Sequence, residues 1–488
     1  MAEQTPSHHR RSAVDYEQVD QSYMEKRQLQ GGAAGWVLLA GLGVAYVISG
    51  DFAGWNFGLA EGGWGGLLIA TILMATMYTC MVFGLAELSS ALPTSGGGYT
   101  FARRALGPWG GMATGTAILI EYAIAPAAIA TFIGAYVESL GLFGITDGWW
   151  VYLAFYILFV GIHLYGVGEA LKLTFVITAI AAVALIIFVL GMIPKFDASN
   201  LTNIAPTDAA GSSSFLPFGY VGIWAAFPYA IWFFLAIEGV PLAAEETRDP
   251  KRDLPRGLIA GMAVLLAFAA LVLTFGPGGA GSDALQASGN PLVEAMEGPL
   301  AYDGETAVSQ LVNYVGLLGL IASFFSIIYA YSRQTFALSR AGYLPKSVSV
   351  TSRRHVPVLA LIIPGVIGFL LATTGEGAIL INMAVFGATI SYVLMMLSHI
   401  VLRAREPGLE RPYRTPGGTL TTGVALVLAL AAVAATFLVD ETAALWALGT
   451  YALFLAYFGL YSRHHLVAKA PEEEFAAIAA AERELAGS

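Results

Sequence analysis

The 488-residue chain is poor in charge: Asp, Glu, Lys and Arg make up 12% of it, about half of what a water-facing globular domain carries. It has one cysteine, Cys80, which excludes an internal disulfide framework and a cysteine-built metal centre. A nucleotide-cradling glycine loop, a His/Asp metal cluster and a nucleophile motif are all missing, which argues against an enzyme and for no cofactor. The glycines at 96–98 fall in a loop and read as structural. The first thirty residues, "MAEQTPSHHRRSAVDYEQVDQSYMEKRQLQ", contain no apolar run, so they read as a polar tail and not as a cleaved signal peptide.

Apolar residues fill the space that charge vacates. They reach 57% of the chain, with a mean hydropathy of +0.69. Segments of about twenty apolar residues, the length that a hydrocarbon core of about 30 Å demands, recur from Gly35 to Tyr461. Twelve are read: 35–59, 64–91, 109–138, 148–168, 170–193, 218–245, 256–276, 307–335, 357–373, 377–403, 419–438 and 443–462. The fold class is therefore all-α, a polytopic membrane protein.

Cations set the expected orientation. With the N-terminus inside, 23 of the 24 Lys and Arg residues fall in cytoplasmic segments and Lys195 alone lies outside. The 276–306 loop carries five acids and no base, as an external loop can. Both termini are expected in the cytoplasm, and "PEEEFAAIAAAERELAGS" reads as a short solvated helix. The basic loops follow the membrane rule and give no support for nucleic-acid binding.

Two segments are interrupted. "YVISGDFAGWNFGLA" (46–60) places Asp51 among Ser49, Gly50, Gly54 and Asn56. "YAIWFFLAIEGVPLAAEE" carries Glu238, Gly239 and Pro241 in mid-span. Pro241 has no N–H to donate and its ring clashes with the Ile237 carbonyl, so the helix should open there. Free carbonyls at membrane depth are tolerated where they line a cavity or meet a partner. Segments 1 and 6 occupy corresponding positions of two five-helix halves, the pattern of an inverted repeat with a ligand held at the breaks.

Four motifs carry a family resemblance. "AELSSALPTSGGGYTFARRALGPWGG" (86–111), "AIEGVPLAAEETRDPKRDLPRGLIAG" (236–261), "YSRQTFALSRAGYLP" (331–345) and "RPYRTPGG" (411–418) resemble signatures of amino acid–polyamine–organocation (APC) superfamily permeases. "VISGDFAGWNFGL", "TGTAILIEYAIAPAAIA" and "AIWFFLAIEGVPLAAEET" are similar to the ethanolamine permeases within it. The resemblance implies a leucine-transporter-type fold of twelve transmembrane helices, a 5+5 inverted repeat plus two peripheral helices. The chain then divides into a tail (1–32), repeat one (33–195), repeat two (196–405), helices 11 and 12 (406–465) and a second tail (466–488). It also implies a site at the unwound parts of helices 1 and 6, with breaks at Ser49-Gly50 and near Leu235-Ala236-Ile237. Gly54-Trp55-Asn56 is an alternative register for the first.

In many such carriers the first break binds a substrate carboxylate through free N–H groups, followed by Ile or Val; here Asp51 stands there. Two like charges at about 4 Å repel by about 4 kcal/mol at an effective dielectric of about 20, so a small cation without a carboxylate is the better guest. Glu121 and Glu238 are further intramembrane acids, and Phe52, Tyr122, Trp232, Phe233 and Phe234 can supply a cation–π wall. The other reading of Asp51 is an N-cap of the outer half-helix, and of Glu121 a structural hydrogen bond. Ala236 replaces the Gly usual in relatives and shrinks the pocket. The expected function is import of ethanolamine or a similar small amine across the plasma membrane by alternating access. An amino-acid or polyamine permease is the alternative, and a receptor or membrane enzyme a remote one.

Coupling stays open among Na+, H+ and potential-driven uniport. Segment 173–194 lacks the lysine that some proton-coupled relatives use, and Ser323 and Ser326 are sodium candidates. Glu87 and Glu169 read as structural, and His163 and His399 as packing residues. Oligomeric state is not legible.

Overall fold

The computed structural model describes residues 14–29, 34–141, 144, 148–165 and 168–474. The first half comprises α1 (Gln21–Glu25), α2 (Trp36–Val47), α3 (Ser49–Phe52), α4 (Phe57–Ala91), α5 (Gly98–Ser139), α6 (Trp149–Tyr165) and α7 (Gly168–Met192). Then follow α8 (Gly219–Ala225), α9 (Phe227–Trp232), a 3-10 segment Ile237–Glu246, α10 (Pro250–Ala280), α11 (Pro291–Glu297) and α12 (Ala307–Arg340). The chain closes with α13 (Val358–Ala372), α14 (Gly377–Arg405), α15 (Thr419–Val439) and α16 (Glu441–Leu460). Two short strands, β1 (Tyr16–Glu17) and β2 (Leu466–Val467), pair in parallel.

Among the described residues nine helical spans are long and apolar enough to cross a membrane. The segments expected at 35–59, 148–168 and 357–373 appear as the shorter apolar helices α2, α6 and α13. Exposed apolar side chains such as Ile72, Leu190, Val221, Leu438 and Leu453 cover the outside of the bundle, the surface that lipid wets without cost. The protein is a multi-pass membrane protein.

The first break differs from the leading expectation. Ile48 keeps right-handed helical dihedrals, and Ser49–Phe52 add another helical turn. The backbone leaves the helix at Ala53 (φ −159°, ψ 161°) and Gly54 (φ +94°), so the opening falls at 53–56, the alternative register, and not at Ser49-Gly50. The second break lies at 233–236, where expected: α9 ends at Trp232 and Ala236 adopts a left-handed φ of 78°. Beyond it the chain runs as a 3-10 helix, whose i→i+3 bonding avoids the i→i−4 ladder that Pro241 would interrupt.

The two breaks press together. The Trp232 indole donates to the Ala53 carbonyl at 3.0 Å, and Tyr136 hydroxyl donates to the Phe52 carbonyl at 3.1 Å. Gly54 N–H is taken by Asn56 Oδ1 at 3.1 Å, and the Asn56 amide nitrogen reaches the Leu285 and Ser288 carbonyls. Groups freed by unwinding thus find partners from other elements. Gly50 permits the approach, because a Cβ there would run into the Trp232 backbone carbonyl, which cannot swing aside.

Both expected tails are in part built into the fold. β1 and β2 join residues from the two ends of the chain, and Tyr23 hydroxyl donates to the Arg340 carbonyl at 2.8 Å. Residues 471–474 are helical, with Glu472 and Glu473 buried, which corrects the reading of a solvated helix; residues 475–488 lie outside the described residues.

Gly50→Ala should lower the stability of the detergent-purified protein by about 1–3 kcal/mol, the usual cost of overpacking. A thermal melt unchanged from wild type would contradict the close approach of the breaks.

Candidate functional site

The buried acids separate into two groups. Asp51, on α3, is wholly buried, and neither carboxylate oxygen meets a hydrogen-bond donor. It makes no cap bond, so the N-cap reading is not what the structure shows. Among the described residues no ion pair reaches it. Gly50 beside it faces Trp232, and Phe52 packs into the α12 surface opened by Gly316 and Gly319.

Glu121 and Glu238 form the other group, within hydrogen-bonding reach of each other. Glu238 accepts from Tyr122 hydroxyl at 3.1 Å on Oε1 and from Tyr392 hydroxyl at 3.2 Å on Oε2. Because Tyr392 spends its proton there, Tyr78 hydroxyl, 2.8 Å away, donates to Tyr392. Among the described residues no donor reaches either oxygen of Glu121. Sequence reading found both acids and Tyr122 but missed Tyr78 and Tyr392, which sit in uniformly apolar stretches without a local signal.

The aromatic residues divide by direction. Trp232 lies edge-on to Phe132 (6.3 Å between ring centres), and Phe132 meets Phe57 (6.1 Å). Phe57 and Phe132 also line a 280 Å³ cavity with Thr131, Glu138 and Tyr152. That cavity lies at the C-terminal end of α5, away from β1 and β2. Phe234 tilts against Tyr78 at 5.4 Å, while Phe233 stacks on Trp55 at 5.9 Å. Leu235 and Ala236 are buried at the second break itself.

Of the sodium candidates, Ser323 donates to the Tyr46 carbonyl at 2.7 Å and receives the Ser49 hydroxyl at 2.8 Å. Ser326 instead bonds back to Ala322 within its own helix at 2.7 Å. Among the described residues no cluster of three or more His, Cys, Asp or Glu side chains is suited to a metal.

The end of the bundle near β1 and β2 is closed by ion pairs. Arg333 meets Glu246 at 2.6 Å, both buried. Arg340 bridges Glu245 (2.8 Å) and Glu472 (2.7 Å), and also reaches the Ser95 hydroxyl at 3.1 Å. Arg103 grips Glu473, which Tyr16 and Tyr343 also bond at 2.9 Å. Burial pushes the Glu472 carboxyl above its ordinary range against the opposing pull of Arg340. Sequence reading missed this closure, since its partners are far apart in the chain. Glu87 is structural in its contacts, held by Arg403, Arg411 and the Thr415 N–H. His399 lies against it, and His163 bonds the Phe159 carbonyl of its own helix. The Glu169 side chain lies outside the described residues.

A multi-pass bundle with two facing helix breaks and polar groups buried beside them has the build of a membrane carrier. A family model for amino acid permeases matches residues 36–475, and the chain belongs to that family. An uncharacterized transporter of Rhizobium meliloti (strain 1021) is 30% identical over 408 residues, covering 81% of this chain and 85% of that protein. The methylthioribose transporter of Bacillus subtilis (strain 168) is 27% identical, over 86% and 89% of the two chains. The branched-chain amino acid permease BcaP of the same organism is 25% identical, over 75% and 79%. The family and these relatives are transporters, not enzymes.

Arg340→Met should destabilise the end of the bundle near β1 and β2 by about 3–5 kcal/mol, because Glu245 and Glu472 lose their shared cation. Hydrogen exchange should then accelerate in 466–474 and 237–246 together; acceleration in neither would refute the bridge.

Proposed function

We propose that this amino acid permease family member carries ethanolamine or a similar small amine by alternating access, with Asp51 as the principal anchor. The supporting observation is the Asp51 carboxylate: fully buried beside the first break, with no donor and no cation among the described residues. An ionised carboxylate in that position is costly unless a positive guest arrives, so an ammonium group is the chemical complement. Trp232, whose ring stands against the first break, offers aromatic surface beside it, while the Phe52 ring is packed on α12. Ser49, Gly50, Leu235 and Ala236, buried at or next to the breaks, would border the guest.

In this proposal residues 33–195 and 196–405 form the two five-segment halves, and 406–465 lie at the periphery. The completed count is twelve spans, with the breaks included in segments 1 and 6. The Arg-rich end where β1 and β2 meet faces the cytoplasm, by the positive-inside rule, and the cavity at the far end of α5 faces outward across the plasma membrane. Trp232, Phe132 and Phe57 close the outer route, and the Arg333 and Arg340 pairs close the inner one.

A second reading, transport of a neutral amino acid, is favoured by the family match and by the branched-chain relatives. The two separate on charge at Asp51. Labelled ethanolamine should enter proteoliposomes saturably, and Asp51→Asn should reduce its binding by at least about tenfold, or about 1.4 kcal/mol. The same substitution should leave serine binding unchanged or improved. Saturable alanine uptake without ethanolamine uptake would replace the first reading by the second.

A further inference from the structure

The turn between α14 and α15 holds more positive charge than its own contacts use. Arg403, Arg411 and Arg414 line a 190 Å³ cavity there, with Pro407 beside them. Arg403 and Arg411 share one carboxylate, Glu87 of α4, at 2.5 and 3.0 Å. Arg414 is exposed and, among the described residues, pairs with nothing. The other acids of the turn meet cations from elsewhere, Glu406 with Arg104 at 2.7 Å and Glu410 with Lys251 at 3.1 Å. Three guanidinium groups thus line one cavity against a single carboxylate, and positive charge is left over.

The donors divide by task. Arg411 is spent within the protein: Nε on Glu87, Nη1 on the Pro407 and Leu409 carbonyls, Nη2 on those of Leu402 and Glu406. These bonds satisfy carbonyls at the end of α14 and fix the cavity wall. Arg403 gives Nε and Nη2 to Glu87 and keeps Nη1, which no acceptor meets among the described residues. That nitrogen lies against Gly418, where a Cβ would come within 2.5 Å of it. Gly418 makes no side-chain cap bond and opens the 21-residue α15, so the positive end of a long helix adds to the same place. Arg414 keeps all of its N–H donors. The complement is an oxyanion with several acceptors, and guanidinium forks match phosphate oxygens in pairs.

We propose that Arg403 and Arg414, in the cavity walled by Arg411, bind the phosphate of an anionic phospholipid. Phosphate is the chemistry that a lipid headgroup shares with the free ion, and the surface beside the cavity favours the lipid. Leu420, Val424 and Val427 follow one another at helical spacing over the first two turns of α15, and all three are exposed. Acyl chains lying on that apolar stripe bring their headgroup to the arginines. The surplus of positive charge selects a headgroup of net negative charge over a zwitterionic one, whose ammonium the arginines repel. Bound there, the phosphate joins Arg403 on α14 to Arg414 on the following loop and supplies the counter-charge that the protein lacks at this point. Only the leaflet, the cytoplasmic one, rests on the orientation proposed above; the site does not depend on the amine reading.

The test uses the full chain in detergent, titrated with phosphatidylglycerol, phosphatidylcholine or inorganic phosphate, with bound lipid counted by native mass spectrometry. Phosphatidylglycerol should occupy a saturable site at least about fivefold more tightly than phosphatidylcholine. Arg414→Gln, which breaks no contact within the protein, should erase that preference and leave the melting temperature of the lipid-free protein unchanged. Arg353→Gln, at an exposed arginine on the loop before α13 and outside the cavity, should leave the preference intact. Equal loss in both variants would overturn the site by showing diffuse attraction to a basic surface. Inorganic phosphate that raises the melting temperature of wild type but not of Arg414→Gln, without any preference for phosphatidylglycerol, would overturn the lipid and put the free ion in its place. Absence of both the lipid preference and the phosphate effect would overturn the site altogether. No arm measures transport, so failure of ethanolamine carriage would sink the amine reading and leave this site standing.

Discussion

Two unwound backbones buried in a membrane bundle have to satisfy each other, and here they do so through a few groups. The Trp232 indole on the Ala53 carbonyl, Tyr136 on the Phe52 carbonyl and Asn56 on the Gly54 N–H hold the first break open without leaving those groups unpaired. In hydrocarbon an unpaired amide costs several kcal/mol, so irregular backbone persists at depth only with such partners. Gly50 supplies the matching steric condition by letting α3 lie on the Trp232 carbonyl. Asp51 on α3 and Trp232 at the end of α9 are both held at this meeting.

The polar interior is accordingly divided. Near the breaks, Asp51 is left without a partner, while Glu238 is bonded by two tyrosines and faces Glu121. At the end near β1 and β2 four carboxylates meet arginines: Glu246 with Arg333, Glu245 and Glu472 with Arg340, Glu473 with Arg103. Buried ion pairs contribute little net stability compared with apolar packing, but losing one partner is expensive. That asymmetry suits a closure, which holds while its partners meet and is costly to leave half-made. The 3-10 segment belongs to both regions, with Glu238 at one end and Glu245 and Glu246 at the other.

Some of the site was legible from residue types alone. Glycine, proline and an acid within one apolar run marked the second break, and it lies at 233–236. Glycine and an acid at Ser49-Gly50-Asp51 pointed about one helical turn too early, because a small residue permits unwinding but does not compel it. Ser49 keeps its turn and bonds Ser323, and the chain opens only where side chains of α5 and α9 can take its carbonyls. The acidic end of the chain misled in the other direction. Three consecutive glutamates look solvated in isolation, yet Glu472 and Glu473 are buried by arginines of α12 and α5.

Membrane residence, the long apolar segments and the acids inside them were determined by the sequence by itself, because hydropathy is a sum over neighbouring residues. Which acid stands alone and which two share a site was decided only by the tertiary structure. Glu121 and Glu238 are brought together from different helices, and Tyr78 and Tyr392 reach them from two more. Electrostatic partnership depends on distance through space, and no local pattern along the chain encodes it.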